Sequence, residues 1–327
     1  MRKKAFVTGG TGFIGINLLK LLLQEGWEIV ALHRSTSDLS ELKKLPVSLT
    51  VGSVTNLDSL HSSIPQDTSV VFHLAGDTNI WSKQNKQQYE VNVTGTKNMV
   101  IAAAEKNVDT FIHTSSIAAW GNITGVVTEQ TPQRGGNSWV NYERTKWAGE
   151  REALKGLEHG MKVIILNPSA VTGPHDNNNW GRLFTALKEG TIPAVSSGCL
   201  SIAHVQEVAR AHISAVDNGQ TGERYILGGE NCSVKDLVEM IARISGISQT
   251  PAEIPRWLFM AYGQLQETIS KVTGNKPKLT PELVKVMTRQ NISFSSKKAI
   301  KHLGYEIPPL EKTVTDCYEW LKKEGII

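Results

Sequence analysis

Short apolar runs alternate with amphipathic stretches through the first half of the chain. Residues 4–8, 28–32, 49–51, 70–74, 110–114 and 162–167 are rich in Val, Ile, Leu and Phe and predict strands. Residues 14–26, 56–63, 92–106 and 142–159 space their apolar side chains by three and four, which predicts helices between those strands. Strands separated by helices build βαβ units, and right-handed crossovers then lay helices on both faces of one parallel sheet. The expected class is therefore α/β, a doubly wound parallel sheet.

After residue 167 the rhythm loosens. Pro168, Pro174 and the polar stretch 175–179 predict a loop that no core residue anchors. Helical patterns return at 182–189, 205–216 and 234–245, and Pro251, Pro255, Pro277 and Pro281 divide the remainder into short helices. This pattern predicts a dinucleotide-binding domain over 1–166, to which 200–228 returns. A smaller, mostly helical substrate-binding lobe is expected from 167–199 and 229–327.

Composition narrows the function classes. In 327 residues, 40% hydrophobic and 20% charged, no apolar run reaches the ~18 to 20 residues that span a bilayer. The net charge of +4 is spread thinly, with Arg2-Lys3-Lys4 as a short basic run, so no nucleic-acid footprint is visible. Three cysteines, Cys199, Cys232 and Cys317, lie far apart without a C-x-x-C pair, which disfavours a disulfide framework and a cysteine metal site. Met1 and a few basic residues lead straight into the first strand, with no signal-like apolar stretch, so the expectation is a cytoplasmic protein. The expected partner is a small-molecule substrate, with neither nucleic acid, membrane nor metal, and a homodimer is compatible with the composition.

Candidate chemistry begins directly after the first strand. Gly9, Gly12 and Gly15 form G-x-x-G-x-x-G between a strand and a helix. A chain that must turn tightly and approach a pyrophosphate needs glycine there, and the helix N-terminus then supplies free N–H groups to the anion. The alternative is a tight turn selected for packing alone. At the end of the second strand an acid would bind the ribose hydroxyls of NAD, whereas an arginine accommodates a 2′-phosphate. Here Arg34 is followed by Ser35 and Thr36, and Asp38 lies past the expected position. NADP is thus favoured over NAD, against the alternative of a solvated arginine in a turn.

Tyr142 and Lys146 form Y-x-x-x-K on a predicted helix, so phenol and ammonium share one face. A cation there is expected to lower the tyrosine pKa, which suits a proton donor working near neutrality. Thr114-Ser115-Ser116 follows the strand just upstream, where ligands bind in open α/β sheets. A serine hydroxyl at that edge is placed to hold a carbonyl oxygen. Trp81, Trp120, Trp139 and Trp180 fall in segments expected to flank the site, either as walls for an apolar substrate or as packing residues. The 255–265 stretch, with Trp257, Leu258, Phe259 and Tyr262 at helical spacing, is expected to be core or a lid rather than a membrane contact.

Together these motifs resemble the extended short-chain dehydrogenase/reductase family. Gly9/Gly12/Gly15, Phe72-His73-Leu74-Ala75-Gly76, Asn92-Val93-Thr94-Gly95-Thr96, Ser115-Ser116, Tyr142/Lys146, Asn167-Pro168-Ser169 and Gly173-Pro174 occur in that family's order. The likeness continues through His204-Val205, Gly222-Glu223-Arg224-Tyr225 and Leu303-Gly304-Tyr305. Within the family the chain is most similar to the dihydroflavonol-4-reductase-like and hopanoid-associated sugar epimerase-like groups. The resemblance implies a Rossmann-type sheet and a catalytic set of Ser116, Tyr142 and Lys146, with Ser116 chosen over Ser115 by its offset of five from Gly121. It also implies cofactor contacts from Gly9, Thr11, Gly12, Phe13 and Ile14, then Arg34, Ser53 and Val54. Further contacts are implied from Leu74, Ala75 and Gly76, and from Tyr142, Lys146 and Pro168. Two positions depart from the family pattern: Ser53 stands where an acid usually contacts adenine, and Asn167 where an arginine often precedes the proline.

Three functions are compatible with these motifs. One is an NADP(H)-dependent reductase acting on a ketone or aldehyde of a small apolar or aromatic substrate, with Tyr142 as proton donor. The alternative is an NAD-dependent nucleotide-sugar epimerase or dehydratase, and the third is a non-catalytic NADP-sensing protein. The resemblance would lead an epimerase to carry an acid after the second strand and an asparagine at position 170, where Ala170 stands. Their absence favours the reductase, and the complete Ser-Tyr-Lys set argues against the sensor.

Overall fold

The computed structural model describes residues 3–192, 194–195 and 198–327. Arg2 of the basic run lies outside the described residues, as do Met1 and positions 193, 196 and 197 of the expected C-terminal lobe.

Seven parallel strands form the main sheet: β1 (Lys4–Thr8), β2 (Glu28–His33), β3 (Ser48–Val51), β4 (Val70–His73), β5 (Thr110–Thr114), β6 (Lys162–Pro168) and β7 (Arg224–Leu227). Their order across the sheet is β7-β6-β5-β4-β1-β2-β3, so the direction of winding reverses next to β1. Alternate side chains serve opposite faces. Ala5, Val7, Phe72, Ile112 and Ile164 pack into one core with helices α1 (Phe13–Gln24) and α4 (Val205–Asn218). Phe6, Val71, Phe111 and Val163 point into a second core with α2 (Gly95–Glu105) and Ala153 of α3 (Asn141–Leu154). Burial on both faces is why these strands read as continuous apolar runs.

A second, three-stranded sheet joins Ala170–Thr172, Cys199–His204 and Glu230–Ser233. Beside it, Phe184, Leu237, Val238, Ile241, Val314 and Leu321 form a separate cluster. The structure differs from two expectations. The 175–179 loop is anchored, because the fully buried Asp176 carboxylate accepts hydrogen bonds from Thr172 Oγ1 (3.0 Å) and from the backbone N–H groups of Asn179 (2.9 Å) and Gly181 (3.1 Å). The adjoining His175 ring lies 4.8 Å from Trp320. The 255–265 stretch is neither core nor a closed lid. It begins one long helix, α5 (Arg256–Thr273), which buries only Gly263, Glu267 and Ser270. The prolines therefore bound this helix rather than divide it.

Candidate active site

Gly9 opens the turn after β1 at φ +73°, and a Cβ there would lie 2.6 Å from Ala75 N. A Cβ on Gly15 would lie 2.2 Å from Gly9 O. Both positions exclude any side chain, because the turn folds back on itself while touching the chain end beyond β4. The α1 N-terminus at Gly12 has no side-chain cap, leaving its first N–H groups free to meet an anion.

A groove of about 1090 Å³ opens above this turn. Gly9, Thr11, Gly12, Arg34, Ser53, Val54, Leu74, Ala75 and Gly76 line it. Phe13 and Ile14 do not, because their side chains pack onto the α1 core. Pro168 lies buried at the end of β6, away from the groove lining, and Ser116, Tyr142 and Lys146 are likewise not among the lining residues. Lys146 Nζ nevertheless stands 3.3 Å from the Cβ position of Gly76, so the tyrosine helix and the groove meet there. The far wall comes from Asp77, Thr78, Asn79, Lys83, Lys86 and Glu90, none of which was expected. Their only sequence signal is a polar stretch just after Gly76. Its first residue is held by Asn92, whose Oδ1 accepts from Asp77 N at 2.7 Å and whose Nδ2 donates to Asp77 O at 2.9 Å.

The Gly9 and Gly15 backbone, the uncapped helix end and the groove fit a dinucleotide. Arg34 is exposed at the groove beside Ser37, and no acid from the end of β2 lines it.

Ser116 follows β5 and caps a short 3₁₀ turn, its Oγ accepting from Ala118 N at 3.1 Å. Ser115 turns the other way and donates to Glu150 at 2.7 Å. Lys146 is buried and donates to Thr114 O at 3.1 Å. Burial lowers its pKa to about 8, and Glu150 opposes that shift. The expected lowering of the Tyr142 pKa does not occur. Burial pushes the phenol up and Asp77 adds to the rise, while a hydrogen bond with Ser116 pulls against them. Tyr142 accordingly stays protonated through neutral pH.

One turn below Lys146, Glu150 is a fully buried carboxylate that the sequence did not flag. Ser115 Oγ (2.7 Å), Gln133 Nε2 (2.8 Å), Asn167 Nδ2 (2.6 Å) and Arg224 Nε (2.6 Å) all donate to it. The same Asn167 amide donates to Ser116 O at 3.1 Å, so the residue that departs from the family pattern ties β6 to the serine loop. The available signal was its offset of four from Lys146, which places both on one helix face. Breaking a buried pair strands its partner. Glu150→Gln should lower unfolding stability by about 3 kcal/mol in urea titrations, and unchanged stability would show that the network is dispensable.

The four tryptophans form no common wall. Trp120 is fully buried and donates to Thr131 O at 2.8 Å, Trp180 packs into the C-terminal cluster and Trp139 is exposed. Trp81 lines a separate cavity of about 320 Å³ with Ser82, Lys83, Ser270 and Lys271.

Residues 5–228 match the model of the NAD dependent epimerase/dehydratase family. A protein of Synechocystis sp., provisionally named dihydroflavonol 4-reductase, is 30% identical over 98% of this chain and 95% of its own. Sterol demethylase protein B of Methylococcus capsulatus is 26% identical over 98% of this chain and 99% of its own. Among solved structures, the crystal structure of gox2253 superposes with a TM-score of 0.84 at 32% identity, covering 99% of each chain.

Proposed function

Because the chain belongs to the NAD-dependent epimerase/dehydratase family of extended short-chain dehydrogenase/reductases, we propose that it is an NADPH-dependent reductase of a ketone or aldehyde on an apolar, ring-bearing substrate. The observation that carries this reading is the pairing of Ser116 and Tyr142 above a buried Lys146, beside a groove that offers Arg34 and no β2 acid. Two similar proteins bear names that speak of a dihydroflavonol and a sterol, which supports an apolar ring system as substrate.

The glycine turn and the α1 N-terminus would hold the pyrophosphate, Arg34 the 2′-phosphate and Lys146 the nicotinamide ribose. A reduced nicotinamide supplies hydride when bound. The chain does the rest. Ser116 Oγ donates to the substrate carbonyl oxygen, and Tyr142 Oη releases its proton to the same oxygen as negative charge develops there. The Lys146 ammonium, fixed by Thr114 O, stabilises the resulting phenolate, and bulk solvent then returns the proton.

An arginine–phosphate pair contributes on the order of 1.5 to 3 kcal/mol. Wild-type protein should therefore bind NADPH at least tenfold more tightly than NADH, and Arg34→Ala should erase most of that difference, as read by fluorescence titration. Equal binding of the two by the wild type would remove NADPH from the proposal. A nucleotide-sugar epimerase would instead gain thermal stability from a UDP-sugar, because a ligand that binds the native state shifts its unfolding.

A further inference from the structure

We propose that α5 docks this protein onto the surface of an anionic lipid bilayer, with the helix lying in the plane of the interface. Leu258, Tyr262, Leu265, Ile269 and Val272 recur every three or four residues along one side of the helix. They are 42%, 42%, 55%, 46% and 85% exposed, and Trp257 beside them is 71% exposed. Gly263, Glu267 and Ser270 face the body of the protein, so the apolar stripe points away from it. A soluble surface rarely carries so continuous an apolar row.

Charge selects the occupant. Between Ile254 and Thr280 the cations are Arg256, Lys271, Lys276 and Lys278, all exposed. The one acid in that span, Glu267, is buried against Ser82. An apolar stripe with Trp257 near its start and Tyr262 within it, on a helix whose exposed charged residues, Arg256 and Lys271, are both cations, has the composition of a helix that sits in lipid headgroups. A second copy fits poorly. A two-fold interface would set each stripe against its duplicate and bring like charges together. No helix among the described residues is long and apolar enough to cross a bilayer, so the contact is interfacial. The helix is coupled to the groove, since Ser82 bonds to Glu267 while its neighbours Lys83 and Gln84 line the groove. Such docking runs against the expectation that the stretch makes no membrane contact.

The test is flotation of the full-length protein with vesicles of mixed phosphatidylglycerol and phosphatidylcholine, against vesicles of phosphatidylcholine alone. Binding should favour the anionic vesicles at least tenfold and weaken in about 1 M salt, where the screening length is ~3 Å. The double variant Leu265→Glu/Ile269→Glu changes exposed side chains only, and should lose at least tenfold in partitioning with its thermal midpoint and NADPH binding unchanged. Lys271→Ala/Lys276→Ala/Lys278→Ala should lose the preference for anionic lipid. No flotation of the wild type, or equal flotation of the glutamate variant, would overturn the proposal. So would a dimer in sedimentation that the glutamate variant dissolves, which would seat a second copy on the stripe.

Discussion

Replacing Tyr142 by Phe is expected to lower turnover by ~10² to 10⁴, the range for removing a general acid, while leaving NADPH affinity near wild type. The substitution keeps the ring and its packing and removes one hydroxyl. Burial raises the phenol pKa, so the wild-type group enters the reaction protonated at any pH near neutrality. The pH limit comes from the neighbour. Lys146 has a folded pKa lowered to about 8, and its charge is lost as pH rises through that value. The alkaline limb of kcat/KM should therefore fall near pH 8. Glu150→Gln removes the carboxylate that opposes the lowering and should move this limb to lower pH. Near wild-type turnover in Tyr142→Phe would transfer the proton donor to another residue.

Acid should destabilise the fold steeply below pH 6.5. Three buried histidines are held neutral: His73, lowered to about 3, His113, lowered well below its ordinary value, and His212, lowered to about 4. Desolvation is the largest cause in each. Lys146 adds to it for the first two, which stack with ring centroids 5.5 Å apart. His73 is bonded to Thr8 and Thr96, and His212 to Thr114, whereas neither ring nitrogen of His113 has a hydrogen-bond partner among the described residues. A depressed folded pKa means that only the unfolded chain takes up protons between the two values. The stability is whole above the unfolded pKa of ~6.5 and is lost as pH falls toward the folded values. Each histidine contributes about 1.4 kcal/mol per pH unit, so the three together approach about 4 kcal/mol per unit. Asp176 and Glu282, whose carboxyls are raised by burial, work in the opposite sense and reduce that slope. Urea titrations from pH 8 to 5 should show the loss, and His212→Gln should flatten it. A flat profile would show that the histidines titrate in the native state.

The sheet was legible because strands buried on both faces announce themselves as apolar runs such as residues 4–8 and 162–167. The Gly9 and Gly15 positions were legible for a related reason, since backbone atoms 2.6 Å and 2.2 Å from a would-be Cβ leave glycine as the only choice. What escaped lies in polar residues without period. Asp77 to Glu90 close the groove as a loop and short helical turns, and Glu150 is buried although its residue type belongs to surfaces. Asp176 escaped in the same way, because a polar loop can be anchored inward by one carboxylate. Helical spacing in 255–265 showed an apolar face but not which way it points, and α5 turns that face outward. The tryptophans illustrate the same limit, since residue type alone did not tell Trp120 in the core from Trp139 in solvent.

Net reduction of a carbonyl is read most directly from nicotinamide absorbance during incubation of the purified protein with NADPH and a panel of apolar ketones and aldehydes. At least one of them should be reduced with loss of one NADPH per alcohol formed, and Tyr142→Phe should slow this by ~10² or more. Absence of net NADPH consumption across the panel, together with copurified NAD⁺ and a rise in melting temperature on adding a UDP-sugar, would contradict carbonyl reduction as the protein's reaction.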